Sequence, residues 1–167
     1  MIPAPTPPNE AERIAALYSL LILDTPPEQR FDSIVEFASR EFDAPIALIS
    51  LLDHERQWFK SAVGLGSVCE TSRDVSFCGH AIMRGDIMVV PDALQDARFA
   101  DNPLVTGSPG IRFYAGAPLL LPNGYALGTL CVIDTQPRDF DATDMAILST
   151  LRQLVVQQLT GTEAAGE

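Results

Sequence analysis

The stretch 111–134, IRFYAGAPLLLPNGYALGTLCVID, carries no charge between Arg112 and Asp134 and is apolar at both its odd and its even positions. Pro118 removes a backbone donor, and Pro122-Asn123-Gly124 is a strong hairpin-turn signal, so the run is not a membrane span. It predicts two antiparallel strands, 112–121 and 125–134. Strands apolar on both faces need cover on both sides, which places this hairpin at the centre of a sheet with a layer above and below.

Upstream, residues 1–8 are Pro-rich and are expected to form a disordered tail. Asn9 and Glu12 have capping-box spacing, and Ile14, Leu17, Tyr18 and Leu21 follow at helical intervals, which predicts a helix over 9–23. Thr25 with Glu28, and Pro26 at the favoured first position, predict a second helix over 26–42. Its face of Phe31, Ile34, Val35, Ala38 and Phe42 should lie on the sheet. Pro45 opens the apolar strand IALISLLD, which turns at 53–56 into QWFKSAVG to make a hairpin. Trp58 and Phe59 then point to opposite faces, with the assignment open. Residues 64–71 read as loop, Ser76 as the cap of a short helix over 77–84, and 87–91 as a short strand. An excursion rich in Asp, Pro and Gly spans 92–109, with helical turns around 97–99 and 102–104. Asp139 or Asp141 caps a last helix over 139–160, whose apolar stripe of Met145, Leu148, Leu151, Leu154, Val155 and Leu159 is wider than one packing seam needs. The surplus suggests a second subunit. One domain over 9–160, with its sheet and pocket segments at 45–134, and a disordered tail at 161–167 complete the expected organisation.

Composition narrows the function classes. The apolar content of 47 % and mean hydropathy of +0.14 suit a globular chain that buries a core. A formal charge of −11, with Lys60 the only lysine, argues against nucleic acid and against an anionic membrane as partners. No basic segment followed by an apolar core opens the chain, so the expected location is the cytoplasm. Cys69, Cys78 and Cys131 show no Cys-x-x-Cys spacing and read as reduced thiols. The acidic neighbours Asp92, Asp96 and Asp101 lack the spacing of a calcium loop, so no metal and no cofactor is expected.

Five phrases stand in order along the chain: LDTPPE at 23–28, RQWFKS at 56–61, DVSFCGHAI at 74–82, DNPLV at 101–105 and RFYAGAPL at 112–119. Together they resemble the GAF sensor domains of bacteria that accompany histidine kinases and diguanylate cyclases, over residues 12–159. The resemblance implies an α+β fold: a central antiparallel sheet of five or six strands, the N- and C-terminal helices on one face, short helices and loops forming a small-molecule pocket on the other. It implies a sensor whose terminal helices relay the bound state, as a homodimer, to an output kinase or cyclase domain. The sequence ends after the last helix, so it reads as a free-standing sensor or as one piece of a longer chain.

In that family the pocket lies between the sheet and the segment matching 77–104, which makes Cys78, His80, Asp92, Arg98, Phe99, Arg112 and Tyr114 the candidate ligand-binding residues. Arg112 and Tyr114 share a strand face by period-two alternation and would offer a cationic fork and an aromatic wall with a hydroxyl. Arg112 could equally pair with Asp92, Asp96 or Asp101 to pin the excursion. Cys78 and His80 are two apart on a helix and form no pair by themselves; core filling and a structural hydrogen bond account for them. The resulting expectation is a non-catalytic module that binds an unknown small molecule. A thiol enzyme of the free methionine-R-sulfoxide reductase type is the first alternative, although 92–109 lacks the cysteines that class uses. A dimerisation module with a vestigial pocket is the second.

Overall fold

The uncharged stretch does fold back on itself at the middle of a sheet. In a computed structural model, which describes residues 1–161, helices α1 (Glu10–Ser19) and α2 (Gln29–Glu41) precede strands β1 (Ile46–Leu52), β2 (Arg56–Val63) and β3 (Glu70–Ser72). The short helix α3 (Phe77–Ala81), strand β4 (Met88–Val90) and helix α4 (Pro103–Thr106) follow. The hairpin β5 (Phe113–Leu120) and β6 (Ala126–Asp134) and helix α5 (Ala142–Thr160) come last, and single 3-10 turns stand at Arg73–Val75 and Ala93–Gln95. The six strands lie in the order β3-β2-β1-β6-β5-β4, and every pairing is antiparallel. The sheet is open, with β3 and β4 at its edges.

Alternation along the strands divides the core into two layers. On one face, Leu17 of α1, Phe31 and Val35 of α2, and Leu148, Leu151 and Val155 of α5 pack on Ile49, Leu51, Phe113, Ala115 and Val132. On the other, Phe77, Cys78 and Ala81 of α3, with Phe99 and Val105, pack on Ile46, Leu48, Tyr114, Cys131 and Ile133. The register of β2 on β1 shifts between Ile49 and Ser50, a bulge that turns both Lys60 and Ser61 to the helix side. Trp58 faces the helices and Phe59 the opposite layer.

Several elements differ from the expected bounds. Asn9 makes no side-chain cap, and α1 ends at Ser19 rather than 23. Thr25 does not cap α2: its hydroxyl donates to the Ile22 carbonyl and accepts from Lys60, and the helix starts at Gln29. Asp141 is the cap of α5, in a reciprocal box with Asp144. β3 was expected as loop, because three edge residues, Glu-Thr-Ser, carry no alternation to read. Residues 1–8, expected as a disordered tail, run over α3 on the face of the sheet away from the terminal helices, where Ile2 N–H donates to Arg98 O and Ala4 N–H to Asp74 O. Prolines there prevent a helix, yet the amides of Ile2 and Ala4 still find partners. Of the tail expected at 161–167, all but Gly161 falls outside the described residues.

Candidate functional site

β1, β2, β5 and β6 present a floor of side chains on the face away from the terminal helices. Over it, the loop 64–69, β3, α3 and the turn after α4 enclose a cavity of about 290 Å³. Gly64 starts that loop at φ +89, and a Cβ there would stand 2.0 Å from the Pro45 carbonyl oxygen, so only glycine lets the chain leave β2 at this angle. Ile46, Leu48, Phe59, Leu104, Ile111 and Ile133 supply most of the apolar lining. The polar groups are few: Gln57, Thr71, Cys78, Ser108 and the Tyr114 phenol.

Cys78 and Tyr114 meet at the inner wall. The Tyr114 hydroxyl donates to Cys78 Sγ at 3.2 Å, and the Thr129 hydroxyl donates to the same sulfur at 2.9 Å. Ser50 Oγ lies 3.3 Å from Thr129 Oγ1 and extends the cluster under the sheet. Burial pushes the Cys78 thiol up, but hydrogen bonds from Cys131, Ser50, Thr129 and Tyr114 outweigh it and hold the thiol below its ordinary value. Cys131 and Tyr114 go the other way, raised first by burial and then by the neighbouring sulfur. The cluster can hold negative charge on one sulfur inside a dry wall, and it can orient Cys78 toward the cavity.

Five of the seven candidate residues stand outside this cavity. Arg112 precedes β5, where alternation does not hold; its guanidinium donates to the carbonyls of Val105 and Ile111, so it pins the excursion through backbone rather than through Asp92, Asp96 or Asp101. Asp92 accepts from Leu94 N–H as the cap of a single 3-10 turn. Arg98 pairs with Asp96 and lies over the Phe99 ring, which is itself fully buried and stacked on Phe77 at 4.0 Å. The His80 ring bonds the Ile2 carbonyl at 3.0 Å, beneath the N-terminal segment. Gln57, Phe59, Ile133 and the loop 64–69 were missed. Their one sequence signal is the alternation in QWFK, which sets polar Gln57 on the same face as Phe59.

The five phrases prove to be clamps that position the cavity. Arg56 binds Asp24 with both terminal nitrogens and also reaches Asp53 and Glu70. Lys60, itself buried, joins Thr25, the Pro26 carbonyl and Glu28, tying LDTPPE to RQWFKS. Ser76 caps α3 by accepting from Gly79 N–H, and Asn102 both caps α4 and donates to Val75 O. Among the described residues no three His, Cys, Asp or Glu side chains stand together as metal ligands, and no helix is long and apolar enough to cross a membrane.

Comparison with known proteins agrees with this architecture. The GAF domain family profile matches residues 26–159. A cyclic di-GMP phosphodiesterase of Pseudomonas aeruginosa is 44% identical over 160 residues, 95% of this chain; the chain spans 27% of that relative's length. The GAF domain of an Acinetobacter phosphoenolpyruvate-protein phosphotransferase superposes with a TM-score of 0.64 at 21% identity, covering 93% of this chain and 97% of that one. The free methionine-R-sulfoxide reductase of Neisseria meningitidis, solved with its substrate, superposes with a TM-score of 0.65 at 17% identity, covering 91% and 89%. These two likenesses are of fold.

Proposed function

The chain belongs to the GAF domain family, with the signalling role of that family, and on that premise we propose that it is a non-catalytic sensory module that binds a small molecule in the cavity above β1, β2 and β6. The cavity is the observation that supports the reading: it is largely apolar, partly enclosed, and has few converging polar groups, the usual make-up of a small-molecule site. Binding would tighten the loop 64–69 and α4 against the floor strands. β1, β5 and β6 carry α2 and α5 on their reverse face, so a shift in the sheet would reach the terminal helices and, through them, a partner copy or an output domain. By analogy with the Pseudomonas relative, that output is one that breaks down cyclic di-GMP.

A thermal-shift screen of metabolites and nucleotides tests the reading. A ligand at a hundred times its Kd adds about 2.7 kcal/mol to stability. The shift should vanish in Leu104→Trp, which fills the cavity from its cover. If no compound distinguishes the wild type from the filled variant, the reading falls. For the homodimer, Leu154 on α5 is the informative position, because it is exposed whereas Leu151 is core. Leu154→Glu should dissociate the dimer in sedimentation velocity; a monomeric wild type would end that part of the proposal.

One observation favours the thiol-enzyme alternative: Cys78 reaches the cavity with two hydroxyls donating to its sulfur. Against it, Cys69 is exposed in the loop and Cys131 lies in a central strand, which leaves no second thiol in the cavity cover at 92–109. Thioredoxin-coupled NADPH oxidation on free methionine sulfoxide decides between them, and sustained turnover would overturn the non-catalytic reading.

A further inference from the structure

We propose that the cavity takes a neutral, largely apolar molecule of about the size of indole, which presents one hydrogen-bond donor to the side-chain carbonyl of Gln57. The proposal rests on the reading of the cavity as a ligand site and adds the chemistry of its occupant. Gln57 lines the cavity and is 4% exposed. Its Oε1 is sheltered from water and has no hydrogen-bond partner. The orientation of the amide follows from its neighbours. Nε2 donates to Thr71 Oγ1 at 2.9 Å, while the Thr71 hydroxyl faces the Ser72 carbonyl at 3.5 Å, an arrangement that leaves Oε1 as the orphan. A buried acceptor without a donor is costly, and the terminal torsion of a Gln is soft, so a donor entering the cavity meets a carbonyl that can turn to it.

The other polar groups narrow the class. The hydroxyls of Tyr114 and Thr129 are both committed to Cys78 Sγ, and Ser108 stands at the exposed rim. No Asp, Glu, Lys, Arg or His lines the cavity, and the one lining group that can ionise near neutral pH, the Cys78 thiol, would repel an anion. Lys60 lies on the opposite face of the sheet against Glu28, and Arg112 is held by the carbonyls of Val105 and Ile111. A carboxylate or phosphate would enter without a counter-charge, at a prohibitive desolvation cost. At interior packing density the volume holds on the order of ten non-hydrogen atoms.

Amide NMR titrations of the full chain with indole, 1-methylindole and indole-3-acetate test this. Indole should saturably perturb β2 and α4 and bind about tenfold tighter than 1-methylindole, whose nitrogen has no proton. Indole-3-acetate should leave those resonances unmoved. Gln57→Met should keep the binding and erase the preference. Equal affinity for indole and 1-methylindole, or the tightest binding by the carboxylate, overturns the ligand class and leaves the cavity reading standing. If none of the three gives a saturable change, the ligand class falls, and the thermal-shift comparison of the wild type with Leu104→Trp then decides whether the cavity reading falls with it.

Discussion

Tyr114 reaches Cys78 only because the residue two places along its own strand has no side chain. A Cβ on Gly116 would stand 2.1 Å from the Tyr114 hydroxyl oxygen and 2.6 Å from its Cζ, so the phenol lies along β5 in space that Gly116 leaves empty. Gly116→Ala should cost about 1–3 kcal/mol in urea unfolding, the usual penalty for overpacking a core. Tyr114→Phe should cost about 1 kcal/mol, for one buried hydrogen bond. The double variant should cost less than the sum, because the atom struck first is gone; strict additivity would show that ring and glycine are uncoupled. Tyr114→Phe also removes one donor from the Cys78 sulfur, so the thiol should titrate at higher pH, read from thiolate ultraviolet absorbance. Alternation set Tyr114 on the face opposite Phe113 and Ala115, as the two layers have it, but did not say which of those faces meets the cavity. It failed for Arg112, since the rule holds only inside a strand and β5 starts one residue later. Gln57 escaped notice because its neighbours Arg56 and Lys60 are charged, and a polar residue among charges reads as surface. Only the pairing of β2 with both β1 and β3 buries it.

At the scale of elements, α1 has no side-chain cap and is held by one carboxylate. Glu10 takes Arg13 of its own helix and Arg73 from the turn before α3, and Arg13 continues to the Ala126 carbonyl at the start of β6. Burial pushes the Glu10 carboxyl up, but the hydrogen bonds and charges of the two arginines outweigh it and hold it at about 2, against an ordinary 4.5. A depressed folded value means that this contribution is complete above about pH 4.5 and is lost as pH falls toward 2. Glu10→Gln should therefore flatten the acid limb of stability against pH; an unchanged limb would show that the clamp contributes nothing. At the other end, Asp141→Ala should cost about 1 kcal/mol, since it removes the side-chain acceptor of the box that starts α5 and leaves only Asp144 accepting from the backbone N–H. The caps of α3 and α5 were legible because Ser76 and Asp141 bond their own helix, whereas Asn102, which caps α4, was read only as part of a helical turn. The starts of α1 and α2 were not legible. Thr25 has the right type and spacing, but a cation from β2, 35 residues away, claims its hydroxyl, and no local rule contains Lys60.

Over the whole molecule, the hydrophobic pattern gave the two-sided sheet, because a run apolar on both faces has no other stable home. It gave nothing of the first eight residues, which contribute backbone groups and the terminal ammonium rather than apolar side chains to their hydrogen bonds and ion pair. Their path crosses α3 where Gly79 leaves room for it: a Cβ there would come within 2.5 Å of Ala4 Cβ. The strap covers His80, and burial first, with the nearby Arg98 charge, lowers the imidazole below its ordinary value, against the opposing pull of the Ile2 carbonyl and Asp96. A histidine depressed in this way stabilises the docked strap above its ordinary titration range and opposes docking as pH falls through its lowered value. Removal of residues 1–8 should return the His80 titration upward, followed by its ring proton shifts. It should also speed amide exchange in 77–81 and 96–101 while β1, β5 and β6 keep their protection, because the strap bonds Asp74, His80, Arg98 and, through its terminal ammonium, Asp101. If exchange quickened across the sheet as well, the strap would be part of the cooperative fold; if His80 titrated unchanged, the strap would not be what buries it.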